Sequence, residues 1–388
     1  MILSHPRTLI LIASSLLSMV LGSVHAFSVF LEPLELLFGA SRTMASITYS
    51  LALAALTLAV LVGHTVFGKL PSWLFVAFVC LVAALGTVIA ASATALWVVW
   101  LGYSLLFGAA NGFGYAFGLQ MSAQASPGQE GVAMGIITAF YALGAMTSPA
   151  LFSWAIEVGG FQLAMWYLAS TLAIIAPLCA AMFARAKAQF VSPTESSITH
   201  KTPIRPIILL WIGYGAGVAA GLMAIGHATG IAKSTGLSQS LWIAPFIIAI
   251  FNMVGSLAAG WIVDRSKPGI ILVGLAALSS VTLFLLATTG NTSLTLVGLG
   301  MVGLTYGALI AAYPASVSKM FGVVEGTKIY GRIFTAWGTA GLFAPWFAGL
   351  LFDYNQNYTT ALVTAAGLGV ISAIAIIFLY RKGSSETE

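Results

Sequence analysis

Charged side chains are scarce in this chain of 388 residues, which has 15 Lys and Arg and 10 Asp and Glu. Three of them, Asp264, Arg265 and Lys267, stand together directly after an apolar segment that contains Ser256. A charge inside an apolar membrane segment is costly and is usually kept for ion or solute traffic. We therefore expect the charged cluster at the end of a helix, near water, and a polar but uncharged binding site around Ser256.

Two histidines, His25 and His227, lie within other apolar segments. An imidazole there can donate a hydrogen bond to an anion or take up a proton near physiological pH. Each could equally be a hydrogen-bonded structural residue. His25 also belongs to a stripe of small and polar residues spaced by three or four, which share one face of a helix and line either a cavity or a tight helix contact. The members of this stripe are Ser14, Ser18, Gly22, His25 and Ser28.

The composition shows which elements must position these residues. The chain is 60% hydrophobic and 6% charged, with a mean hydropathy of +1.01, so it lacks the polar surface of a soluble protein. Apolar runs of roughly 20 residues recur, each long enough to cross a bilayer as a helix. The first run, from Thr8 to Leu31, is expected to stay in the protein as a membrane span and not to be removed as a signal peptide. Cys80 and Cys179 lie in apolar runs, which indicates neither a disulfide framework nor a cysteine metal site.

Polar residues, glycine and proline interrupt the apolar runs eleven times, which predicts twelve transmembrane helices. Placing the N-terminus in the cytoplasm leaves only Arg42 and Lys233 of the 15 Lys and Arg outside. We therefore predict a multi-pass protein of the cytoplasmic (inner) membrane with both termini in the cytoplasm. The predicted breaks lie near 32–42, 68–72, 92–94, 126–131, 157–161, 185–205, 233–238, 264–268, 289–293, 319–331 and 353–357.

The two halves of the chain resemble each other at an offset of 195 to 197 residues. Gly63 matches Gly260, and the stretch GAANG at 108–112 matches GLTYG at 303–307. A parallel repeat of this kind is typical of one large class of secondary transporters. The sequence predicts an all-α membrane protein with two pseudo-symmetric six-helix bundles, at 1–184 and 206–388, joined by a cytoplasmic linker at 185–205.

The segment GWIVDRSKP at 260–268 resembles the GxxxDR loop motif of the major facilitator superfamily. Further stretches are similar to its oxalate:formate antiporter and monocarboxylate transporter branch: HAFSVF (25–30), FGASRTMAS (38–46), GLMAIGHA (221–228), IFNMVG (250–255) and YGRIFTAWGTAG (330–341). The resemblance implies that the first, fourth, seventh and tenth helices line a central path. It also implies that Asp264, Arg265 and Lys267 form a cytoplasmic gating latch, although ordinary cytoplasmic charge is the alternative.

The chain departs from that branch at two positions. Many relatives carry an arginine where this chain has Ser256, and oxalate-type members carry a lysine where we align Trp337. Neither cation is present, so dicarboxylate exchange is not implied. Under the repeat, Tyr141 and Trp337 occupy matching places, and core packing is the alternative role for both aromatic residues. The candidate substrate-binding residues are His25, Asn111, Tyr115, Tyr141, His227, Asn252, Ser256, Tyr306 and Trp337.

These features favour a secondary active or facilitative transporter that moves a small, monocarboxylate-like organic solute by alternating access. The alternative is a carrier or exporter of a neutral or aromatic molecule, such as a vitamin- or drug-like compound. Proton coupling is left open, and membrane lipid surrounds the expected monomer. No cofactor, metal or nucleic acid is expected. The chain has no HExxH, GxSxG or Walker sequence, which argues against an enzyme. Its longest internal polar segment is too short for the soluble output domain that a sensor is expected to bring.

Overall fold

The computed structural model of the protein describes residues 5–63, 65–127, 130–190, 204–321 and 323–381. Within those ranges, every regular element is helical. The helices of the first half are α1 (Pro6–Leu21), α2 (Leu31–Phe38), α3 (Arg42–Gly63), α4 (Ser72–Ala91), α5 (Leu96–Val99), α6 (Gly108–Gln124) and α7 (Glu130–Arg185). A 3₁₀ segment (Gly22–Phe30) joins α1 to α2, and a π-helical segment (Trp100–Phe107) joins α5 to α6.

The second half contains seven helices in the described residues. They are α8 (Ile204–Ile225), α9 (Ala228–Ser234), α10 (Ile243–Arg265), α11 (Pro268–Thr288), α12 (Thr292–Phe321), α13 (Val323–Asn355) and α14 (Thr359–Arg381). Over the described parts of both halves, ten helical segments are long and apolar enough to cross a membrane, and Ile243–Ala259 is a shorter apolar helix. The count of twelve spans and the cytoplasmic position of the termini stay predictions.

Helix α7 is the longest element, and it is interrupted where the sequence predicts a break near 157–161. Gly159 and Gly160 have non-helical backbone angles, and Gly160 has a φ of +74°. This positive φ favours glycine, because other residues place their Cβ atom against the backbone there. The two glycines therefore divide α7 into two helical pieces.

Two predicted breaks are shorter in the structure than the polar residues indicate. Near 32–42, α2 continues through Glu32 and Glu35 to Phe38, and Gly39 ends it with a φ of +60°. Near 319–331, α12 extends to Phe321 and α13 begins at Val323. Polar side chains show where a helix reaches water, but they do not end the helix, which is why the sequence predicted longer breaks.

The contacts divide the chain into two units. Unit 1 comprises Met1–Ala40 and Thr48–Glu195, and unit 2 comprises Ser41–Ile47 and Ser196–Glu388. The first two turns of α3 thus belong to unit 2, whereas its remainder belongs to unit 1. Most of the predicted linker at 185–205 lies outside the described residues, so its boundaries stay a prediction.

In unit 1, glycines bring the first helix against α7. A Cβ atom added to Gly22 would meet the carbonyl group of Tyr141, and one added to Gly144 would meet the carbonyl group of Met19. The backbones therefore touch at two places, and this contact holds His25 beside Tyr141. The 3₁₀ geometry, with about three residues per turn, also keeps Gly22, His25 and Ser28 on one face.

Aromatic side chains fix the 3₁₀ segment. The rings of Phe27 and Tyr49 are stacked, with centroids 5.2 Å apart, and the ring of Phe30 lies 5.0 Å from that of Phe152. All four side chains are buried. Nine residues is long for a 3₁₀ helix, whose hydrogen bonds are poorer than those of an α-helix. Packing of these rings supplies the stabilisation that the local geometry lacks.

In unit 2, glycines similarly bring α10 against α12. A Cβ atom on Gly303 would meet the carbonyl group of Ile248, and one on Gly307 would meet Asn252. On α10 itself, a Cβ atom on Gly255 would meet the carbonyl group of Leu304. This close packing places Asn252 directly against α12.

Candidate solute-binding site

In unit 1, the amide of Asn111 joins three helices. Its Nδ2 atom donates a hydrogen bond to the Leu21 carbonyl at 2.6 Å, at the end of α1. Its Oδ1 atom accepts a hydrogen bond from the Tyr141 hydroxyl of α7 at 3.1 Å. Asn111 is fully buried, so its bond to Leu21 forms away from water, whereas Tyr141 is half-buried. The amide therefore fixes the position of the Tyr141 hydroxyl relative to α1.

Two further candidates contact Tyr141. The Tyr115 ring lies 4.6 Å from the Tyr141 ring, and its hydroxyl is 3.3 Å from Thr138 Oγ1. The half-buried His25 ring lies edge-on to Tyr141 at 5.6 Å, and its Nδ1 atom is 2.8 Å from the Tyr49 hydroxyl. The structure thus brings four predicted residues together. We call them the unit-1 cluster: His25, Asn111, Tyr115 and Tyr141.

Unit 2 brings four other candidates together along α12. Trp337 Nε1 donates to the Tyr306 hydroxyl at 2.9 Å. Ser256 Oγ donates to the Gly307 carbonyl at 3.0 Å and lies 3.4 Å from Asn252 Oδ1. Because Tyr306 and Gly307 are consecutive, α12 connects the two pairs. We call this group the unit-2 cluster: Asn252, Ser256, Tyr306 and Trp337.

The contacts that the structure gives for His227 are with residues outside the two clusters. Its Nε2 atom is 2.9 Å from the Pro345 carbonyl oxygen and 3.3 Å from Ser46 Oγ, and its ring is 5.5 Å from the Tyr358 ring. The side chain is fully buried. Its contacts join α9, α13 and the start of α3.

Sequence reasoning missed several residues beside the clusters. Thr138 could have been found, since it lies three positions before Tyr141 on the same helix face. Tyr49 carried no local signal, because it reaches His25 from a separate helix. In unit 2, Phe334 stacks on Trp337 with centroids 5.5 Å apart and ring planes at 6°. The Tyr330 hydroxyl is 3.3 Å from that of Tyr214.

The two clusters are chemically neutral, apart from the titratable imidazole of His25. Their polar groups are amides, hydroxyls and an indole N–H, several of which already bond to one another. Such groups can orient a solute by hydrogen bonding, and the aromatic faces can pack against an apolar body. Neither cluster resembles the catalytic arrangement of a nucleophile and a base.

The predicted gating residues lie where α10 meets α11. Arg265 is exposed in the last turn of α10, and Lys267 is exposed just before α11. The side chain of Asp264 lies outside the described part of the structure. Lys319 of α12 donates to the carbonyl groups of Val263 at 3.0 Å and Ser266 at 3.1 Å. A cation at this end of α10 satisfies carbonyls that lack helical partners.

Comparisons with known proteins agree with a transporter fold. The family model of the Major Facilitator Superfamily matches residues 8–325, so the chain belongs to that superfamily. An uncharacterized MFS-type transporter of Escherichia coli (strain K12), YhjX, is 25% identical over 358 residues, which cover 87% of this chain and 86% of YhjX. The oxalate:formate antiporter of Oxalobacter formigenes is 25% identical over 295 residues, which cover 72% of this chain and 70% of the antiporter.

Solved structures share the architecture. A bacterial homolog of the human lysosomal transporter Spinster, in an inward-facing and occupied conformation, has a TM-score of 0.74 and 13% identity, covering 97% of each chain. A D-xylose–proton symporter has a TM-score of 0.71 and 14% identity, covering 96% of this chain and 97% of the symporter. The superfamily consists of transporters, so this chain is a multi-pass membrane transporter and not an enzyme.

Proposed function

We propose that the protein is a secondary active or facilitative transporter that moves a small monocarboxylate-like solute across the cytoplasmic membrane by alternating access. The unit-1 cluster is the observation that supports this proposal. Its members present polar groups on three helices around Tyr141, and hydrogen bonds fix their positions. The relation to an oxalate:formate antiporter and to other bacterial transporters supports the carboxylate class and the inner membrane.

A carboxylate only accepts hydrogen bonds, so its site must supply donors. When the Tyr49 hydroxyl donates to His25 Nδ1, the neutral imidazole carries its proton on Nε2, which is then available as a donor to a solute. The Tyr115 ring packs against the Tyr141 ring, which itself lies beside His25. Ser256 and Trp337 replace the two cations that the related branch uses, which favours a singly charged acid over a dicarboxylate.

The alternative is transport of a neutral or aromatic molecule. The stacked Phe334 and Trp337 rings favour a solute with a flat apolar body. Both solute types could use the same carrier, but only the acid requires the donors of the unit-1 cluster. Competition between acids and their neutral analogues separates the two proposals.

We retain two further expectations as part of the proposal. Asp264, Arg265 and Lys267 form a cytoplasmic latch, and the chain is a monomer whose two bundles are joined by the 185–205 linker. Lys319, which binds carbonyl groups at the end of α10, supports a structural role for this loop.

The test is uptake by the purified full-length protein in sealed vesicles. We expect labelled formate or lactate to enter and unlabelled monocarboxylates to compete, whereas oxalate competes weakly. His25→Gln should raise the KM for the acid by about tenfold, since loss of one solute hydrogen bond is worth about 1.4 kcal/mol. His5→Gln, at an exposed position, is the matched control. Uptake of labelled benzamide that neither benzoate nor lactate inhibits, without uptake of labelled formate or lactate, would support the neutral alternative and contradict the acid.

A further inference from the structure

The first turn of α3 is capped by a carboxylate from a distant part of unit 2. Asp353 Oδ1 accepts the Arg42 backbone N–H at 3.1 Å, and its Oδ2 accepts the Thr43 N–H at 2.8 Å and the Thr43 hydroxyl. Ser41 accepts the next two N–H groups, those of Met44 and Ala45. The N–H groups of Arg42, Thr43 and Met44, which have no partner within the helix, are thus satisfied, and the Ala45 N–H forms the first helical bond. A negative charge at this end is also favoured by the helix dipole.

The Arg42 side chain holds the same turn against the rest of unit 2. Its guanidinium donates to the Tyr358 hydroxyl and lies 4.7 Å from the centroid of the Phe352 ring. Gly230 leaves room for this contact, since a Cβ atom there would meet Tyr358 and Arg42. We call the segment Ser41–Ile47 in this position the docked turn.

His227 completes the docked turn, and its contacts fix its protonation state. The Ser46 hydroxyl donates its proton to the Arg42 carbonyl at 2.6 Å, so towards His227 Ser46 Oγ can only accept. The Pro345 carbonyl oxygen is also an acceptor. Both neighbours of Nε2 therefore require that Nε2 carry a proton. In the neutral ring, Nδ1 is then unprotonated, and in the part of the chain that the structure describes, Nδ1 is buried without a hydrogen-bond partner.

A second proton on His227 would have to go to Nδ1. It would create a buried N–H without an acceptor and a buried positive charge, both of which are unfavourable. Two charged groups act on this ring from neighbouring elements and oppose each other: Asp353 of α13 favours the proton and Arg42 of α3 disfavours it. Lys233 of α9 is exposed, and Tyr358 faces the ring as a neutral phenol. The docked turn is therefore matched to the neutral imidazole.

We infer that His227 is a proton-binding site that controls docking of the α3 start: the neutral ring holds the docked turn, and protonation releases it. The proton is then the ion coupled to solute movement. Its role in the transport cycle rests on the proposed transport function. In this proposal the two clusters bind the solute, and His227 binds the proton.

The expected size of the effect follows from linkage. An accessible imidazole has a pKa of about 6.5. Because the docked ring resists protonation, docking is fully favoured above that pH and is lost as the pH falls below it. Lowering the pH from about 7.5 to about 5.0 should therefore shift the equilibrium toward the undocked turn by up to about 30-fold.

Cysteine accessibility in the full-length protein measures docking directly. Ala45→Cys places a thiol at a fully buried position of the docked turn, and Met44→Cys places one at a neighbouring position that is 41% exposed. Both are made with Cys80→Ala and Cys179→Ala, which remove the two native thiols. The ratio of maleimide labelling rates at 45 and 44 cancels the pH dependence of thiol reactivity. We expect this ratio to rise about tenfold or more between pH 7.5 and pH 5.0.

Variants of the network make the result specific. His227→Gln keeps a neutral donor near Pro345 and should leave the ratio low at both pH values, whereas His5→Gln should behave like the parent. Asp353→Asn should raise the ratio at both pH values. A ratio that does not change with pH in the parent, or that still rises in His227→Gln, overturns the inference. Because labelling needs no solute, this failure is distinct from a failure of uptake. Solute uptake that drives proton entry in the parent but not in His227→Gln would link docking to transport.

Discussion

The repeat places the same two-helix contact in each unit, but the two units build it from different side chains. In unit 1, the Tyr141 hydroxyl of α7 donates to the Asn111 amide of α6. In unit 2, the Trp337 indole of α13 donates to the Tyr306 hydroxyl of α12. Asn111 and Tyr306 are the fourth residues of the matching stretches GAANG and GLTYG.

The difference lies in what surrounds each pair. Asn111 also bonds the backbone of α1, and Tyr141 lies beside the His25 imidazole. Trp337 instead stacks on Phe334, and the phenol ring of Tyr330 follows at 5.9 Å from Phe334. The unit-1 pair is thus bordered by an imidazole and a backbone hydrogen bond, whereas the unit-2 pair is bordered by further aromatic rings. Equivalent positions of the repeat have diverged in chemistry while keeping one donor–acceptor contact.

The largest expected effect concerns a second helix contact in each unit, the first helix against α7 in unit 1 and α8 against α13 in unit 2. Gly22→Ala should destabilise the protein by about 3 kcal/mol, because the added methyl group meets the Tyr141 carbonyl and a backbone must move. Gly215→Ala, between α8 and α13 in unit 2, should change stability by less than about 1 kcal/mol, since its nearest neighbour is the Ala336 Cβ atom at 3.3 Å. Thermal unfolding of the purified variants measures both. Equal losses would show that the helix pairs are packed alike.

The next effect concerns the two hydrogen-bonded pairs themselves. Asn111→Leu should cost about 2 to 3 kcal/mol, because it removes the buried hydrogen bond to α1 and takes the Asn111 acceptor from the half-buried Tyr141 hydroxyl. Tyr306→Phe removes only the acceptor of the Trp337 indole and should cost about 1 kcal/mol. The comparison is read from unfolding midpoints in the same detergent. If Tyr306→Phe lowered the unfolding midpoint more than Asn111→Leu, the unit-2 pair would contribute more to stability than the unit-1 pair.

A smaller effect should appear in solute preference. Tyr141→Phe removes a hydroxyl from the unit-1 cluster and should raise the KM for a monocarboxylate by roughly threefold to tenfold, in line with loss of one hydrogen bond. Trp337→Phe keeps an aromatic ring and should leave that KM within about twofold. Phe343→Leu, on an exposed part of α13, is the control. A larger KM change for Trp337→Phe than for Tyr141→Phe would indicate that the carboxylate of the solute binds to the unit-2 cluster.

Much of this comparison could be predicted from sequence because it depends on local spacing and on the repeat. Hydrophobic runs indicated the apolar helices, and the matching stretches paired Tyr141 with Trp337. Residues four apart correctly placed the Asn252 and Ser256 side chains together. These signals extend over one or two helical turns, or copy a pattern from one half to the other.

The remaining features depend on contacts between distant segments. Asp353 caps a helix start that is 311 residues away, and no local pattern distinguishes it from other polar residues at a helix end. The two histidines appeared equivalent in sequence, yet His25 joins the unit-1 cluster while His227 contacts Ser46 and Pro345. The change from α-helix to 3₁₀ geometry at Gly22 likewise depends on Phe27 and Phe30 packing against other helices.

The smallest expected effect distinguishes serines that fill space from serines that form bonds. In the described residues, the buried Ser18 hydroxyl of α1 has no hydrogen-bond partner, whereas Ser372 Oγ of α14 donates to the Gly213 carbonyl at 2.6 Å. Ser18→Ala should therefore be neutral or slightly stabilising, because it removes an unpaired polar group. Ser372→Ala should cost about 1 kcal/mol for the lost bond. A clear loss of stability or uptake in Ser18→Ala would instead show that the Ser14–Ser18 stripe lines a hydrated path, so that unit 1 would offer polar surface well beyond its cluster.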